Sequence, residues 1–324
     1  MENVKKAVKN LIYTSKELKE IINKKTYPLL QNWKDTLIKL QEIFLTPDIE
    51  NSIILIEEDF SKNIIIRKNP LSINQQIEEI LNNCQNYKII SENLDLNDNG
   101  EFIKNLLGLP KEIPLHFGKE KKENMEIYIT QDTPQNINTL INEIEKYLQA
   151  KKGKTAIIFN SKQQLNQFTL KIAPFLNKNN ITTVSQLTGS LGKLREKFKQ
   201  SPENSILFIT PNFWDNFRDH ELIDNLLIHK IPFDPPSDPF IVALKKNYED
   251  PFYEFQVPRA VFSLKKMINR LTGEAKNKEV VILDPRLATK NYGQLFIDNL
   301  KNIARPKIIN TANLHSIVKT NEKK

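Results

Sequence analysis

Short apolar runs alternate with helix-length amphipathic segments from residue 125 onward, and this alternation constrains the fold more than any other feature. The runs are MEIYIT (125–130), TAIIFN (155–160), ITTVS (181–185), SILFIT (205–210), LIDNLLIHKIP (222–232) and EVVILD (279–284). Strands that are apolar throughout are covered on both faces, which is typical of parallel sheets with helical crossovers. We therefore predict an α/β domain over residues 121–305 with a mainly parallel sheet. Within it, 155–160, 205–210, 225–231 and 279–284 should lie side by side.

The first 120 residues follow a different pattern. Apolar positions at helical spacing predict two helices within residues 1–47, separated near Pro28. The elements predicted next are a hairpin at 51–68, a helix at 72–84, a short strand at 88–90 and a helix that ends at Gly108. We interpret residues 1–120 as an N-terminal helical pair with a small α/β segment, and residues 306–324 as a C-terminal tail.

Charge and cysteine content narrow the possible partners. The 324 residues carry a net charge of +8, with a pI of about 9.2, which permits a polyanionic partner without requiring one. The single cysteine, Cys84, excludes an internal disulfide, a cysteine-rich zinc site and an iron–sulfur cluster. The N-terminus lacks the apolar core of a signal peptide, and no apolar run is long enough to cross a bilayer. We expect a cytoplasmic protein without a membrane partner.

The stretch HKIPFDPPSDPF, residues 229–240, directly follows a predicted buried strand. Proline fixes φ and removes an amide donor, so this stretch cannot continue a sheet or a helix. It predicts a rigid loop. Two interpretations stay open: a stiff exit from the sheet, or the rim of a cleft beyond the carboxyl ends of parallel strands.

Three common catalytic patterns are excluded. Gly153-Lys154-Thr155 looks like the end of a phosphate-binding P-loop, but the position of its first glycine is occupied by Leu148. A helix is predicted before it and a strand after it, the reverse of a P-loop. The four histidines are scattered and accompany neither G-x-S-x-G nor H-E-x-x-H, so a nucleophilic triad and a zinc hydrolase are not indicated.

Three segments then stand in a fixed order: TAIIFNS at 155–161; ILFITPNFWDNF with the proline stretch after it; and PRAVFSLKKMINRLTG running into VVILDPRLATKNYG. This order resembles the second RecA-like domain of DinG/XPD-type superfamily 2 DNA helicases. The matching positions are Ser161 after the first strand; Thr210, Phe213, Trp214 and Asp215 in the Phe-Trp turn; Ile231, Pro232, Phe233, Pro236 and Pro239 in the proline loop; and Leu283, Asp284, Arg286, Tyr292 and Gly293 near the end.

The resemblance implies a RecA-like, P-loop-NTPase-type parallel sheet with flanking helices over 121–305. Residues 1–120 match more loosely the end of the helical arch insertion and the last part of the first RecA-like domain, with Ile89 to Leu94 at a family Thr-Ser-Ala-Thr-Leu position. The resemblance also implies nucleic-acid contacts by Ser161, Thr210, Phe213, Trp214 and Arg218, and weak nucleotide contacts by Arg270 and Asp215. The lysines and arginine at 193–199 are spread around their helix and are interpreted as a solvated face.

The sequence departs from this family where ATP chemistry would take place. It contains no P-loop and no D-E-x-H, which hold phosphates and magnesium in such helicases. The last motif, Gln-x-x-Gly-Arg-x-x-Arg in the family, has Lys266, Asn269, Arg270 and Gly273 at its four fixed positions. Asn216 and Arg218 replace a glycine and an aspartate of the Phe-Trp turn. We predict no catalytic residue, no metal site and no cofactor, with ATP and magnesium bound only if a partner supplies the P-loop domain.

Three hypotheses on function follow. The first is a DinG-like helicase C-terminal domain protein that does not hydrolyse ATP alone and binds single-stranded nucleic acid, DNA before RNA, or a partner protein. The second is one half of a split ATP-dependent DNA helicase completed by a separate P-loop subunit. The third is a structural scaffold that binds no nucleic acid.

Overall fold

A computed structural model describes residues 2–21, 28–45, 51–58, 62–91, 96, 100–114, 116, 124–132, 137–271 and 277–323. The described residues fall into two compact units. The first comprises Met1–Tyr87, Lys104–Lys111 and Pro235–Glu249, and the second comprises Lys88–Ile103, Glu112–Asp234 and Asp250–Lys324. No helix in these ranges is both long and apolar enough to cross a membrane.

The elements are numbered in chain order. The strands are Ser52–Glu58 (β1), Ile64–Pro70 (β2), Met125–Thr130 (β3), Thr155–Ile158 (β4), Thr183–Ser185 (β5), Ile206–Ile209 (β6), Asn225–Ile228 (β7), Lys278–Ile282 (β8) and Pro306–Ile309 (β9). The helices are Glu2–Ile21 (α1), Pro28–Leu45 (α2), Asn74–Asn82 (α3), Glu101–Leu107 (α4), Ile137–Ala150 (α5), Lys162–Lys178 (α6), Leu191–Lys199 (α7), Pro211–Asn216 (α8), Pro239–Leu244 (α9), Val257–Asn269 (α10), Arg286–Thr289 (α11) and Gly293–Leu300 (α12). A π-helical turn, Phe252–Gln256, precedes α10, and a 3₁₀ helix spans Thr311–Lys323.

The second unit is built on a seven-stranded sheet with strand order β5-β6-β4-β7-β8-β3-β9. All of its strand pairs are parallel. The order places β6, β4, β7 and β8 next to one another, which confirms the prediction that these four apolar runs lie side by side. The α/β fold class expected from the alternation of strands and helices is therefore confirmed.

Successive residues of a strand point to opposite faces of the sheet, so each strand contributes apolar side chains to both faces. Helices pack against both faces and bury these side chains. On one face Ala156 and Ile158 pack in a core with residues of α7, α8, α10 and α12. On the other face Ile157 and Phe159 pack with residues of α5 and α6. The strands are short and buried on both sides, as is usual for parallel sheets.

The C-terminal boundary predicted at residue 305 is wrong. Pro306–Ile309 forms the edge strand β9, which pairs in parallel with β3 from Ile127 to Thr130. The 3₁₀ helix that follows buries Leu314 and Ile317 in the same core as α5 and α6. Asp132 fixes the entry to this helix, since its carboxylate accepts a 2.6 Å hydrogen bond from the backbone N–H of Thr311. In the sequence, Leu314 and Ile317 are three residues apart, which fits a 3₁₀ helix. Two apolar residues are too few to distinguish such a helix from a polar tail.

The boundary predicted at residue 120 also differs from the observed units. The described residues within 88–103 and 112–116 cluster with the sheet unit, whereas Pro235–Glu249 clusters with the first unit. The predicted strand at 88–90 does not form, and Ile90 is largely exposed. In the first unit, β1 and β2 form the predicted antiparallel hairpin, with Ile56 opposite Ile66.

The rejected P-loop is a connection between a helix and a strand. Gly153 lies between α5 and β4 with φ of +94°, a conformation that favours glycine. A side chain there would also collide with Asp224, whose carboxylate oxygen lies 2.5 Å from the position of an added Cβ. Asp224 accepts a hydrogen bond from the backbone N–H of Lys154. The glycine is therefore required by the backbone and by packing.

Candidate nucleic-acid interface

The predicted contact residues follow adjacent strands at one edge of the sheet. β4 and β6 pair with Ile158 opposite Ile209, and Thr210 directly follows Ile209 while Ser161 follows Ile158 by three residues. Because all strands run the same way, Ser161 and Thr210 lie beyond the same, carboxyl edge. This is the edge at which open α/β sheets bind their ligands.

Ser161 is the N-cap of α6. Its backbone is extended, and its Oγ accepts a 3.2 Å hydrogen bond from the backbone N–H of Gln164. This is the usual reason for a serine at the start of a helix. The hydroxyl hydrogen is still free to donate outward, so Ser161 can serve the helix and a phosphate together.

Thr210 precedes α8 and is fixed by a residue that follows the neighbouring strand β5. Gln186 follows β5, and its Oε1 accepts hydrogen bonds from the Thr210 N–H and hydroxyl at 2.6 and 3.1 Å. Thr210 makes no side-chain cap contact to α8. Sequence reasoning missed Gln186, whose only signal is its place directly after a β strand.

Trp214 does not have the place expected of a base-stacking ring. Its side chain is fully buried, and its Nε1 donates a 3.0 Å hydrogen bond to the carbonyl of Met267. His220 packs edge-on against the indole, with ring centroids 4.4 Å apart, and donates from Nε2 to the Trp214 carbonyl. No face of the indole is open to a base, so the expectation that Trp214 contacts nucleic acid is wrong. The alternative, a core residue, is what the structure shows.

Phe213 and Arg218 flank this buried tryptophan. Phe213 is half-buried and stacks on Phe217, with ring centroids 6.4 Å apart. Arg218 follows α8 and is exposed. Both stay predicted contacts, with Arg218 the more accessible of the two.

Asp215, Lys266 and Arg270 form one charged cluster between α8 and the end of α10. Asp215 pairs with Lys266 at 2.7 Å through Oδ2 and with Arg270 Nε at 3.4 Å through Oδ1. Lys266 and Arg270 are four residues apart and therefore share one helix face. The structure thus brings together the two residues predicted to contact nucleotide and adds the lysine that replaces the family glutamine. Gly273, predicted to replace a family arginine, lies outside the described residues.

The first half of the proline stretch is attached to the ends of two strands. The backbone N–H of Ile231 donates to Asp284 at 2.9 Å, and its carbonyl accepts from Asn160 Nδ2 at 2.8 Å. Asp284 is buried and also receives the guanidinium of Arg286 at 2.6 Å. Burial alone would raise the pKa of Asp284, but the hydrogen bonds from Arg286 and Ile231 hold it below its ordinary value.

Three further contacts fix the loop. Arg259 of α10 binds Asp234 through both carboxylate oxygens, at 2.7 and 3.3 Å. Phe233 packs on Phe252, and the Arg286 guanidinium lies 5.5 Å from the Phe233 ring centroid. These contacts hold residues 231–234 in place at the carboxyl edge of the sheet, where they are called the proline rim below.

His229 lies directly after β7 at the base of this rim. Its ring packs against Phe159 at 5.2 Å, and Nδ1 has no hydrogen-bond partner among the described residues. Burial, with a smaller contribution from the neighbouring Lys230, lowers the pKa of His229 to about 4. The imidazole is therefore neutral near pH 7 and adds no positive charge to the edge.

Comparisons with known proteins agree with this geometry. A family model described as the helicase C-terminal domain matches residues 144–303. The chain is 29% identical over 180 residues to the ATP-dependent DNA helicase YoaA of Haemophilus influenzae, covering 54% of this chain and 28% of that protein. It is 29% identical over 294 residues to the 3'-5' exonuclease DinG of Bacillus subtilis, covering 84% of this chain and 31% of that protein.

A solved XPD helicase structure matches with a TM-score of 0.54 at 18% identity, over 81% of this chain and 48% of that chain. At this identity the likeness concerns the fold. The chain spans less than a third of the length of the two curated relatives. The sheet order, the edge residues and these similarities agree. Residues 144–303 match the helicase C-terminal domain family, the chain is similar in sequence to DinG and YoaA, and its fold is similar to that of the XPD helicase.

Proposed function

We propose that the second unit binds single-stranded nucleic acid, DNA before RNA, along the carboxyl edge of its sheet. The observation that carries the proposal is the placement of Ser161 and Thr210 at the ends of the paired strands β4 and β6. Helicase domains with a RecA-like fold hold a single strand through hydroxyls, backbone amides and a few basic groups at such loop tips. Arg218 adds an exposed guanidinium after α8.

These groups suit phosphate and sugar better than base edges. The hydroxyls can hydrogen-bond the sugar-phosphate backbone of the nucleic acid, and the guanidinium can neutralise a phosphate. Neither contact distinguishes one base from another. Binding of this kind has little sequence preference and weakens steeply with salt, because each neutralised phosphate releases counterions.

We further propose that the 324-residue chain by itself does not hydrolyse ATP. The P-loop and D-E-x-H elements, which hold the β- and γ-phosphates and magnesium, do not occur in its sequence. Asp215 pairs with Lys266 and Arg270, so part of their positive charge is already neutralised within the domain. On this account the chain serves as a nucleic-acid-binding or partner-binding subunit.

One observation favours a second candidate, half of a split helicase. Arg270 lies at the end of α10 with its side chain 29% exposed, and its buried Nε lies 3.4 Å from Asp215. A P-loop subunit that docked there would meet a basic group already in place. In that case the chain would support ATP hydrolysis only after the second subunit is added.

The test is fluorescence anisotropy of a labelled single-stranded oligonucleotide at several salt concentrations, with phosphate release followed in parallel. We expect binding that weakens steeply with salt, and no phosphate release. Arg218→Ala should weaken binding and reduce the salt slope by about 0.7, the value for one phosphate on a single strand. The matched control is Arg305→Ala, because Arg305 is also exposed but directly precedes β9 and so lies at the opposite edge.

The three hypotheses give different results. Absence of binding at low salt would favour a scaffold and contradict the nucleic-acid proposal. Phosphate release by the chain alone would contradict the inactive interpretation. Phosphate release only after addition of a P-loop protein, and its loss in Arg270→Ala, would promote the split helicase.

A further inference from the structure

Five aromatic rings form a continuous cluster beside the proline rim: Phe233, Phe252, Tyr253, Tyr292 and Phe296. They come from the rim, the π-helical turn before α10, the residue before α12, and α12 itself. Phe252 stacks on Phe233 at 5.9 Å and meets Tyr253 and Tyr292 edge-on at 5.2 and 5.3 Å. Tyr292 in turn contacts Phe233 at 5.8 Å and Phe296 at 6.3 Å.

The cluster is closed on its core side and open on the other. Phe296 is fully buried; Phe233, Phe252 and Tyr292 are half-buried; and Tyr253 is 51% exposed. A purely structural aromatic cluster would also bury its outermost ring. Here the outermost ring, Tyr253, is exposed and lies on a π-helical turn. Such turns occur frequently at functional sites.

The open rings are held in place. The Asp250 carboxylate accepts hydrogen bonds from the backbone N–H groups of Phe252 and Tyr253, at 3.1 and 3.2 Å. Arg286 is fixed by Asp284, whose carboxylate accepts hydrogen bonds from its guanidinium. A surface that is ordered before its ligand arrives loses little entropy on binding.

The charges around the aromatic cluster indicate how a bound single strand of nucleic acid would be oriented. Lys230 and Lys290 are exposed. Glu254, next to Tyr253, is also exposed and repels phosphate. A single strand would therefore place its phosphates toward the lysines and its bases on the tyrosine.

We propose that Tyr253, supported by Phe252 and Tyr292, is a base-stacking platform for single-stranded nucleic acid at the carboxyl edge. The proposal rests on the proposed function and names the stacking ring that Trp214 does not provide. Stacking on an aromatic side chain contributes roughly 1–3 kcal/mol per base and tolerates any sequence. It adds affinity without adding salt dependence.

The experiment uses the full chain and a single-stranded oligonucleotide that carries 2-aminopurine, whose fluorescence falls when the base stacks. Tyr253→Ala should raise Kd roughly 5- to 100-fold and abolish the fluorescence change. Tyr253→Phe keeps the ring and should bind like the unmodified chain. The matched control is Tyr13→Ala, because Tyr13 is a 67% exposed tyrosine on α1.

Salt separates stacking from charge. The affinity ratio between the unmodified chain and Tyr253→Ala should be the same at low and high salt, whereas Lys290→Ala should reduce the salt slope by about 0.7. Normal binding and normal fluorescence of Tyr253→Ala would overturn the platform and leave the binding function standing. Absence of binding by the unmodified chain would overturn the proposed function itself. If the unmodified chain self-associates and Tyr253→Ala does not, while DNA binding is unchanged, the surface binds a second copy of the chain. That result would overturn the platform.

Discussion

The indole nitrogen of Trp214 donates a 3.0 Å hydrogen bond to the carbonyl of Met267, which joins α8 to the last turn of α10. Carbonyls in the last turn of a helix lack a helical donor, so the tryptophan supplies one. The next residue on α8, Asp215, binds Lys266 of the same turn. The Phe-Trp turn therefore acts as a structural clamp that positions Arg270, and its conspicuous ring is not the ligand contact.

Replacing Trp214 should affect stability before it affects binding. Trp214→Ala removes a fully buried ring, so we expect a loss of about 3–5 kcal/mol in the free energy of unfolding. Trp214→Phe keeps a ring but leaves the Met267 carbonyl unpaired, and the loss should be smaller, about 1–3 kcal/mol. Urea denaturation followed by circular dichroism measures both. A stable Trp214→Ala chain with weakened binding would revive the stacking interpretation.

Asp284 should be the carboxylate on which the proline rim depends most. It is buried and binds both the Ile231 N–H and Arg286, so Asp284→Asn should lower the free energy of unfolding by about 1.5–3 kcal/mol. Asp298→Asn is the control, since Asp298 lies on α12 and is an ion-paired aspartate at the surface, where it binds Lys301. Equal stability of the two variants in urea would contradict the structural role of Asp284.

Asp215 should contribute far less to stability, because its partners are half-exposed. The Asp215–Lys266 and Asp215–Arg270 pairs are screened by solvent, and Asp215→Asn should lower the free energy of unfolding by less than about 1 kcal/mol. The same urea experiment at low and high salt checks this. A loss as large as that of Asp284→Asn would show that the cluster is a structural core.

His229 should make stability fall in mild acid. Its pKa is about 4 in the folded chain and near 6.5 when unfolded, so between these values the unfolded state binds the extra proton. Above pH 6.5 the neutral His229 makes its full contribution to the free energy of unfolding. This contribution is lost as the pH falls toward 4, by up to about 1.4 kcal/mol per pH unit. Burial also lowers the pKa of His220, which adds loss of the same sign.

His229→Gln isolates the contribution of His229. Its unfolding free energy should vary less between pH 6.5 and 4 than that of the unmodified chain. Identical pH profiles would mean that His229 titrates normally in the folded state. Loss of stability below pH 4 is caused by protonation of carboxylates such as Asp284, whose pKa is lowered in the folded chain.

The sheet was predictable because its signal is local and repeated. Runs such as TAIIF and SILFI are apolar without interruption, and only a strand covered on both faces by helices buries such a run. The adjacency of the four central strands was predicted from the crossovers that parallel pairing needs.

Other features depend on long-range packing that no local pattern shows. Trp214 stands between Phe213 and Asp215, which are both partly exposed, and packing against Met267 and His220 buries it. The edge strand Pro306–Ile309 has exposed lysine and isoleucine side chains, so it resembled a tail. Gln186 and Asn160 each bind a residue more than 20 positions away, and nothing near them in sequence indicates this.

The central claim is that the carboxyl edge is the nucleic-acid surface, and photo-crosslinking tests it most directly. A single-stranded oligonucleotide that contains 4-thiothymidine is bound to the full chain, irradiated and mapped by peptide mass spectrometry. The account predicts crosslinks in residues 159–164, 210–218, 229–234 and 250–256. The opposite edge is marked by Lys151 before β4, Asn204 before β6 and Arg305 before β9, and crosslinks confined to it would contradict the account.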